Sequence, residues 1–291
     1  MKTEDIVPEW MENRDTFSKT IPEHEFERIT YYLHTKYGLR IPKEKKTMIE
    51  SRLIKRLRAL KLSSYTEYMQ HVFNHTGSQE YKYFIDLVTT HKTFFFREGY
   101  QFDFIKEILP YYHNSVVNRR PINVWSAGCS TGEEVFTLGM VLNEYLKANP
   151  QFSFKITGTD ISRPALEQAS RGVFAAKELA NLPVEMIKKY FTLAVEDGEE
   201  KLAFKDRDVM SKINLGVLNL NSPEYKINGE FDFIFCRNVI IYFDFQTQKR
   251  VLEKLLKKLK PGGYLFLGHS ETAFGYSLPL KSIRPTIYQK I

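Results

Sequence analysis

The distribution of apolar residues divides the chain into a helical part and a part in which strands and helices alternate. From about residue 22 to residue 88, apolar residues recur three and four positions apart, which predicts amphipathic helices. Within the segment 43–61, apolar residues recur at this spacing and would form the buried face of one helix, namely Ile49, Leu53, Leu57 and Leu60. The sequence therefore predicts a small helical domain in the N-terminal third.

After Pro121 the pattern changes, because short runs rich in Val, Ile and Phe now alternate with helical segments. The predicted strand runs are INVWSAG, FKITGTDI, FDFIFCRNVI and YLFLGHSE. Such alternation predicts an α/β fold, a doubly wound and mostly parallel sheet with helices on both faces. The final run, TIYQKI, is predicted to be a last strand that pairs antiparallel at the edge of the sheet.

One interval interrupts this alternation. The interval of about residues 173–216 lacks the strand-helix pattern and contains the polar turn VEDGEEK and the alternating run KLAFKD. These features predict a small antiparallel β-subdomain insert. The predicted organisation is an N-terminal extension at 1–20, a helical domain at 21–88, a connecting and cofactor-contacting segment at 89–121, and the sheet domain at 122–291.

Composition narrows the class of protein. The chain of 291 residues is 43% hydrophobic and 26% charged, which is ordinary for a globular protein. No run reaches the roughly 20 apolar residues that cross a bilayer, so no membrane insertion is expected. Cys129 and Cys236 make no disulfide framework and match no metal-ligand spacing. We therefore expect a cytoplasmic monomer without a bound metal.

The net charge of +7 is concentrated in one segment, since residues 43–61 hold eight Lys and Arg against two Glu. A solvated helix face would explain this pattern, but the concentration favours a docking surface for an acidic partner. Aromatic residues are not interleaved with these charges, so the segment lacks the stacking groups typical of nucleic-acid binding.

The stretch VWSAGCSTGEE (124–134) follows the first predicted strand. Its glycines, Gly128 and Gly132, do not form the dinucleotide pattern G-x-G-x-x-G. Glu133 and Glu134 at the predicted helix start would repel a pyrophosphate and attract a cationic group such as an ammonium or a sulfonium. The alternative is that both acids only favour the helix dipole.

Three further strand ends carry polar groups. Asp160 is suited to accept the hydroxyls of a ribose, and the amide of Asn219 could bind an adenine edge. Asn238 and Tyr242 follow the third strand. A ligand with a ribose, an adenine and a cationic amino-acid tail but no pyrophosphate is S-adenosylmethionine. The run RNVIIY lacks the Asn-Pro-Pro-Tyr of methyltransferases that act on amide or amino nitrogen, which favours an oxygen acceptor.

Several motifs together resemble the chemotaxis receptor glutamate O-methyltransferase family (CheR). They are TTHKTFFFRE (89–98), VWSAGCSTGEE (124–134), GTDI (158–161), FDFIFCRNVIIYFD (231–244) and LKPGGYLFLGHSE (259–271). The basic run SRLIKRLRALKL also resembles the N-terminal helical domain of that family. The resemblance extends from about residue 22 to the C-terminus.

The resemblance implies a Rossmann-like class I methyltransferase that uses S-adenosylmethionine, leaves S-adenosylhomocysteine, and forms methyl esters on receptor glutamates in sensory adaptation. By motif position it implies cofactor contacts from His91, Thr93, Arg97, Glu134, Asp160, Asn219, Leu220, Asn238 and Val239. His91 stands where the family often has Asn. The insert would correspond to the β-subdomain that grips a C-terminal receptor peptide in some members, although VEDGEE is not the glycine-rich loop of those members.

A glutamate side chain is already ionised at neutral pH, so no general base is required. Catalysis then reduces to positioning the carboxylate and excluding water, for which Arg97 and Tyr242 are the candidate catalytic residues. The candidate contacts with the acidic receptor helices are Arg52, Lys55, Arg56 and Arg58. Two alternatives remain open at this point, namely methylation of RNA or a small molecule, and a non-catalytic scaffold that binds the cofactor.

Overall fold

The computed structural model of the protein describes residues 20–115 and 120–291. The predicted extension 1–20 lies outside these residues except for its last position. The chain divides into two compact units, Met1–Thr89 and Thr90–Ile291.

The first unit is helical, as predicted. Its helices are α1 (Glu23–Tyr37), α2 (Lys46–Leu60), α3 (Tyr65–Asn74) and α4 (Gln79–Val88), with a 3-10 turn at Lys43–Lys45 before α2. Helix α1 ends because Gly38 adopts a left-handed conformation (φ 74°), and α3 begins where the Ser64 side chain accepts a hydrogen bond from Glu67 N. Ile49, Leu53 and Leu57 of α2 are fully buried, which confirms the predicted apolar face, whereas Leu60 at the end of the helix is only half-buried.

The second unit is built on a seven-stranded sheet. Its elements in chain order are α5 (Tyr100–Ser115), β1 (Ile122–Ala127), α6 (Glu133–Ala148), β2 (Phe154–Asp160), α7 (Arg163–Arg171), β3 (Val173–Ala175), α8 (Val184–Tyr190), β4 (Phe191–Glu196), β5 (Glu199–Phe204), α9 (Arg207–Ser211), β6 (Ile213–Val217), β7 (Phe231–Cys236), α10 (Phe245–Lys258), β8 (Leu259–Leu267), β9 (Leu280–Arg284) and β10 (Ile287–Lys290).

The strand order of the main sheet is β6-β2-β1-β7-β8-β10-β9. The pairs from β6 to β8 are parallel, whereas β10 pairs antiparallel with both β8 and β9. The α/β fold with a mostly parallel sheet is thus confirmed. Strand β7 is buried along its whole length, as expected for a strand at the centre of a doubly wound sheet.

The last strand is antiparallel, as predicted, but its position at the edge was wrong. The edge strand is β9, a short segment that the sequence analysis did not recognise. It joins β10 through a turn in which Thr286 has a positive φ of 61°. Because β10 lies between two strands, Ile287 and Tyr288 are buried.

The insert is confirmed as a three-stranded antiparallel sheet of order β3-β5-β4. It is shorter than the expected interval 173–216, since its strands end at Phe204 and β6 pairs parallel with β2 in the main sheet. Strands β4 and β5 form a hairpin through Asp197 and Gly198, which have φ values of 54° and 76°. Two consecutive positive φ values match the right-handed twist of the strands.

The segment 89–121 was expected to connect two domains, but most of it belongs to the second unit. Helix α5 lies within it, and its residues Phe102, Ile105 and Leu109 are buried in the same apolar core as β1 and β7. The physical reason is the apolar face of α5, which has the helical spacing that predicts burial.

Candidate active site

Except for residues 91–97, which precede α5, the segments that carry the candidate cofactor contacts lie at the carboxyl ends of parallel strands, and these ends meet at one edge of the sheet. Ala127 of β1 is level with Thr159 of β2, and Asp160 is level with Val217 of β6. The strand order reverses between β1 and β7, which is where open α/β sheets bind ligands.

The turn after β1 is shaped by residues in the left-handed region. Gly128, Ser130 and Gly132 have φ values of 97°, 51° and 104°. A Cβ on Gly128 would lie 2.4 Å from Val239 Cγ2, so the absence of a side chain lets this turn pack against the segment after β7. The two predicted site loops are therefore in contact.

The two acids that begin α6 have different surroundings. Glu134 Oε1 accepts a hydrogen bond from Ser126 Oγ (2.6 Å), and its Oε2 lies 3.5 Å from Arg237 Nη1. Glu133 is buried and accepts a hydrogen bond from Thr131 Oγ1 (2.7 Å). Burial raises the pKa of both carboxyls, and for Glu134 the nearby Arg237 charge opposes that rise. Only Glu134 faces the cluster of charged groups described below.

Asp160 joins the turn after β1 to the turn after β2. Its Oδ2 accepts from Ser130 N (2.8 Å) and its Oδ1 accepts from Ser162 N (2.9 Å). Ser130 Oγ in turn lies 3.4 Å from His91 Nδ1. Because each carboxylate oxygen has two lone pairs, Asp160 retains the capacity to accept from a ligand hydroxyl.

The segment after β6 starts next to Asp160, whose carbonyl accepts from Leu218 N (3.0 Å). Asn219 Oδ1 accepts from Asn221 N (2.9 Å), an Asx turn that fixes the direction of the amide. Leu220 is buried. Asn219 and Leu220 are thus brought to the same edge as Asp160.

The segment after β7 is organised by Glu271, which the sequence analysis did not single out. This buried carboxylate accepts hydrogen bonds from the backbone N–H groups of Gly268 (2.6 Å), Asn238 (2.8 Å), Val239 (2.8 Å) and Ile241 (3.2 Å). Burial raises the pKa of Glu271, and the four N–H donors oppose that rise. They hold Asn238 in the left-handed conformation at φ 58°.

Tyr242 ends the 3-10 turn Ile240–Tyr242 and is half-buried, and its N–H donates to Val239 O (3.2 Å). Asn238 Nδ2 donates to Glu98 Oε1 (3.2 Å), which connects this segment to the run that contains Arg97. Tyr242 is therefore positioned by the same segment as the predicted cofactor contacts.

Arg97 is half-buried, and its Nη1 donates to Lys92 O (2.6 Å). Thr93 lies on the same segment and is half-buried, without a hydrogen bond to another candidate residue in the part of the chain that is described. Arg237 donates to the Arg97 carbonyl. Arg97, unlike Thr93, is thus connected to the β7 segment.

Arg237 is the second functional residue that the sequence analysis missed. Its side chain is only 2% exposed and lies between Glu98 (3.6 Å) and Glu134 (3.5 Å). Among the described residues, Nε and Nη1 of Arg237 and Oε2 of Glu98 have no hydrogen-bond partner. The signal in the sequence was a charged residue directly after the apolar end of β7. At that position the charge must either reach solvent or pair with another charged group at the sheet edge.

The four basic residues predicted to contact a receptor fall into two pairs. Arg52 Nη1 donates to the carbonyls of Leu87 (2.8 Å) and Thr89 (2.7 Å), at the end of α4. Arg56 Nε donates to the buried Glu80 (3.0 Å). Each therefore has a structural contact inside the helical unit, which the sequence did not predict.

Lys55 and Arg58 differ from that pair because both are exposed. Because an internal contact does not test docking, all four stay candidate docking residues, and Lys55 and Arg58 are the exposed pair.

Over residues 20–115 and 120–291 no group of three or more His, Cys, Asp or Glu is arranged to hold a metal ion. Within the same residues, no helix combines the length and apolar character of a bilayer-spanning segment.

Comparison with known proteins agrees with this geometry. Residues 91–288 match the family described as "CheR methyltransferase, SAM binding domain", and residues 24–89 match "CheR methyltransferase, all-alpha domain". The first match defines the class, a methyltransferase with the class I fold that binds S-adenosylmethionine.

Named relatives extend the match over nearly the whole chain. The "Chemotaxis protein methyltransferase" of Borreliella burgdorferi is 35% identical over 96% of this chain and 98% of its own length. "Chemotaxis protein methyltransferase 2" of Pseudomonas aeruginosa is 33% identical over 91% and 92%, and the Escherichia coli enzyme is 34% identical over 84% and 83%. The chain belongs to the CheR methyltransferase family.

The residues at the sheet edge fit the cofactor of this family. Glu134 and Asp160 offer carboxylate oxygens at adjacent strand ends, and Arg97 offers a cation. Arg237 Nε and Nη1 are buried without a hydrogen-bond partner among the described residues, so this cluster has donors left for a ligand or a water.

Proposed function

We propose that this chain transfers the methyl group of S-adenosylmethionine to side-chain carboxylates of glutamates in chemoreceptors, giving methyl esters. The observation that carries the proposal is the cluster of Glu134, Arg237 and Glu98 at the reversal point of the sheet, in a chain of the CheR family. The two domains of that family together account for residues 24–288 apart from position 90.

Glu134 would hold the ammonium group of the cofactor, and Arg97 its carboxylate. Asp160 would accept hydrogen bonds from the ribose hydroxyls through the lone pairs that the N–H groups of Ser130 and Ser162 do not occupy. The adenine would lie against Asn219 and the adjoining Leu220. His91, Thr93, Asn238 and Val239 complete the proposed set of cofactor contacts.

The cofactor supplies an electrophilic methyl group on a sulfonium. The acceptor carboxylate is ionised at neutral pH, so the chain has no proton to remove. No catalytic base is therefore required. The residues of the site instead place the acceptor oxygen in line with the methyl group and the sulfur, and they keep water away. Arg97 and Tyr242 are the proposed orienting groups, and Glu271 supports Tyr242 by holding the N–H of Ile241.

The proposed partners are the acidic cytoplasmic helices of the receptors. The exposed Lys55 and Arg58 would attract them, together with the half-buried Arg52 and Arg56. A receptor C-terminal peptide could bind to the β-subdomain, because β4 forms an edge of that sheet and exposes Leu193 (76%) and Val195 (75%). We propose that the protein works in the cytoplasm as a monomer.

The test is methyl transfer from labelled cofactor to receptor-bearing membranes, read as methanol released by alkali. Membranes without receptor and purified RNA serve as parallel acceptors. Base-labile label only on receptor membranes supports the proposal. Label on RNA, or label on the receptor that alkali does not release, contradicts it, and cofactor binding without any transfer to receptor would identify a scaffold.

A further inference from the structure

Lys254 of α10 reaches across to the segment that follows β6. Its Nζ donates to the carbonyls of Leu220 (2.8 Å) and Ser222 (2.6 Å). The Tyr225 hydroxyl donates to the same Leu220 carbonyl (2.8 Å), and Lys254 Nζ lies 4.8 Å from the centroid of the Tyr225 ring. One ammonium group therefore fixes two carbonyls on either side of Asn221.

These contacts matter because residues 218–230 form neither helix nor strand. One backbone hydrogen bond, from Ser222 N to Asn219 O (2.9 Å), closes the turn, and side chains supply the further contacts that fix its conformation. The Asx turn of Asn219 with Asn221 N (2.9 Å) overlaps the stretch from Leu220 to Ser222 that Lys254 holds. The position of the Asn219 amide thus depends on a residue of α10.

The charge of Lys254 has no compensating carboxylate within 4.0 Å among the described residues. On α10 it shares its surroundings with the exposed Arg250, Glu253 and Lys257 and the half-buried Lys258, whereas the facing segment contributes the exposed Glu224 and Lys226. Burial, with a smaller contribution from Arg250, lowers the pKa of Lys254 to about 8.

We propose that Lys254 is a positioning residue for adenine recognition, which holds the Leu220 and Ser222 carbonyls so that the Asn219 amide faces the purine edge. The inference rests on the proposed role of Asn219 in the cofactor site.

The test uses the full chain with Lys254→Met, Lys254→Arg and Asn219→Ala. Calorimetry gives the Kd of S-adenosylhomocysteine and of its inosine analogue, which presents an oxygen in place of the adenine amino group. Lys254→Met removes both charge-assisted hydrogen bonds to the segment, so it should weaken binding of the adenine ligand about five- to tenfold and lower the preference for adenine over hypoxanthine by a similar factor. Lys254→Arg should retain most of that preference.

A second readout is the pH profile of the Kd. Below pH 8 Lys254 is protonated and the segment is held, whereas above it the charge is lost and binding should weaken by about fivefold in the wild type. In Lys254→Arg the charge persists. Titrations that both proteins share, including those of the ligand, cancel in the ratio of the wild-type Kd to the Lys254→Arg Kd at each pH.

Equal weakening of both ligands in Lys254→Met, or a ratio of Kd values that does not change with pH, would overturn the inference. If Asn219→Ala lowers the preference for adenine and Lys254→Met does not, the inference alone fails. If Asn219→Ala changes neither affinity nor preference, the proposed role of Asn219 in the cofactor site fails.

Discussion

Replacing Arg56 by methionine should loosen the helical unit, although Arg56 was predicted from the sequence to be a receptor contact. Arg56 Nε and Nη2 donate to Glu80 at 3.0 and 2.5 Å, and the Tyr68 hydroxyl donates to the same carboxylate (2.8 Å). The Glu80 side chain is 7% exposed. The substitution therefore leaves a buried carboxylate with one neutral donor.

The expected cost follows from the burial of the pair. Removing one partner of a buried ion pair typically costs 3–5 kcal/mol, and we take roughly 2–3 kcal/mol because the Arg56 side chain is 28% exposed and Tyr68 remains. Amide hydrogen exchange on the full chain localises this loss. Peptides from α2 to α4 should exchange about 30- to 150-fold faster, whereas peptides from β7 should not change.

Lys55→Met is the matched control, because Lys55 is exposed on the same helix and its loss should leave exchange unchanged. Burial alone would raise the pKa of Glu80, but the hydrogen bonds from Arg56 and Tyr68 outweigh burial and lower the pKa of this carboxyl. This stabilisation is present above the ordinary Glu pKa and is lost as the pH falls through the lowered value. Wild-type exchange in Arg56→Met, or equal acceleration in both variants, would refute the reasoning.

Two further predictions concern the cofactor site. Glu271→Gln places an amide N–H against backbone N–H donors and should weaken S-adenosylhomocysteine binding about tenfold or more, as measured by calorimetry; unchanged affinity would show that Glu271 does not support the site. Gly128→Ala puts a Cβ 2.4 Å from Val239 Cγ2 and should abolish methyl transfer and cofactor binding. Gly198→Ala is the control, because Gly198 also has a positive φ but a Cβ there meets no atom within 4 Å. This control should only lower the free energy of unfolding by about 1 kcal/mol. Similar cofactor affinity in both alanine variants would contradict the clash.

Local patterns were sufficient to predict most of the architecture. The alternation of apolar strands with helices determined the parallel sheet, and polar residues directly after strands, such as Asp160 and Asn238, were found because topology places strand ends at one edge. Strands β6 and β9 were missed, since each is a five-residue run with mixed exposure and no strong period.

The side-chain partnerships could not be predicted, because they join residues distant in the chain. Nothing in the periodicity of α2 distinguishes Arg56, which meets Glu80 24 positions later, from the exposed Lys55. In the same way, the burial of Arg237 between Glu98 and Glu134 becomes visible only when two strand ends and the start of α5 are brought together. A charge on a helix face therefore predicts docking only after its internal partners are known.

The most direct test of the central claim is peptide mass spectrometry of receptors incubated with the chain and cofactor carrying an isotopically labelled methyl group. The label should appear on glutamate side chains as esters that alkali removes, and no label should appear when Gly128→Ala replaces the wild-type protein. Label on lysine, asparagine or glutamine nitrogen of the receptor, or unmodified receptor in the presence of tightly bound cofactor, would contradict it.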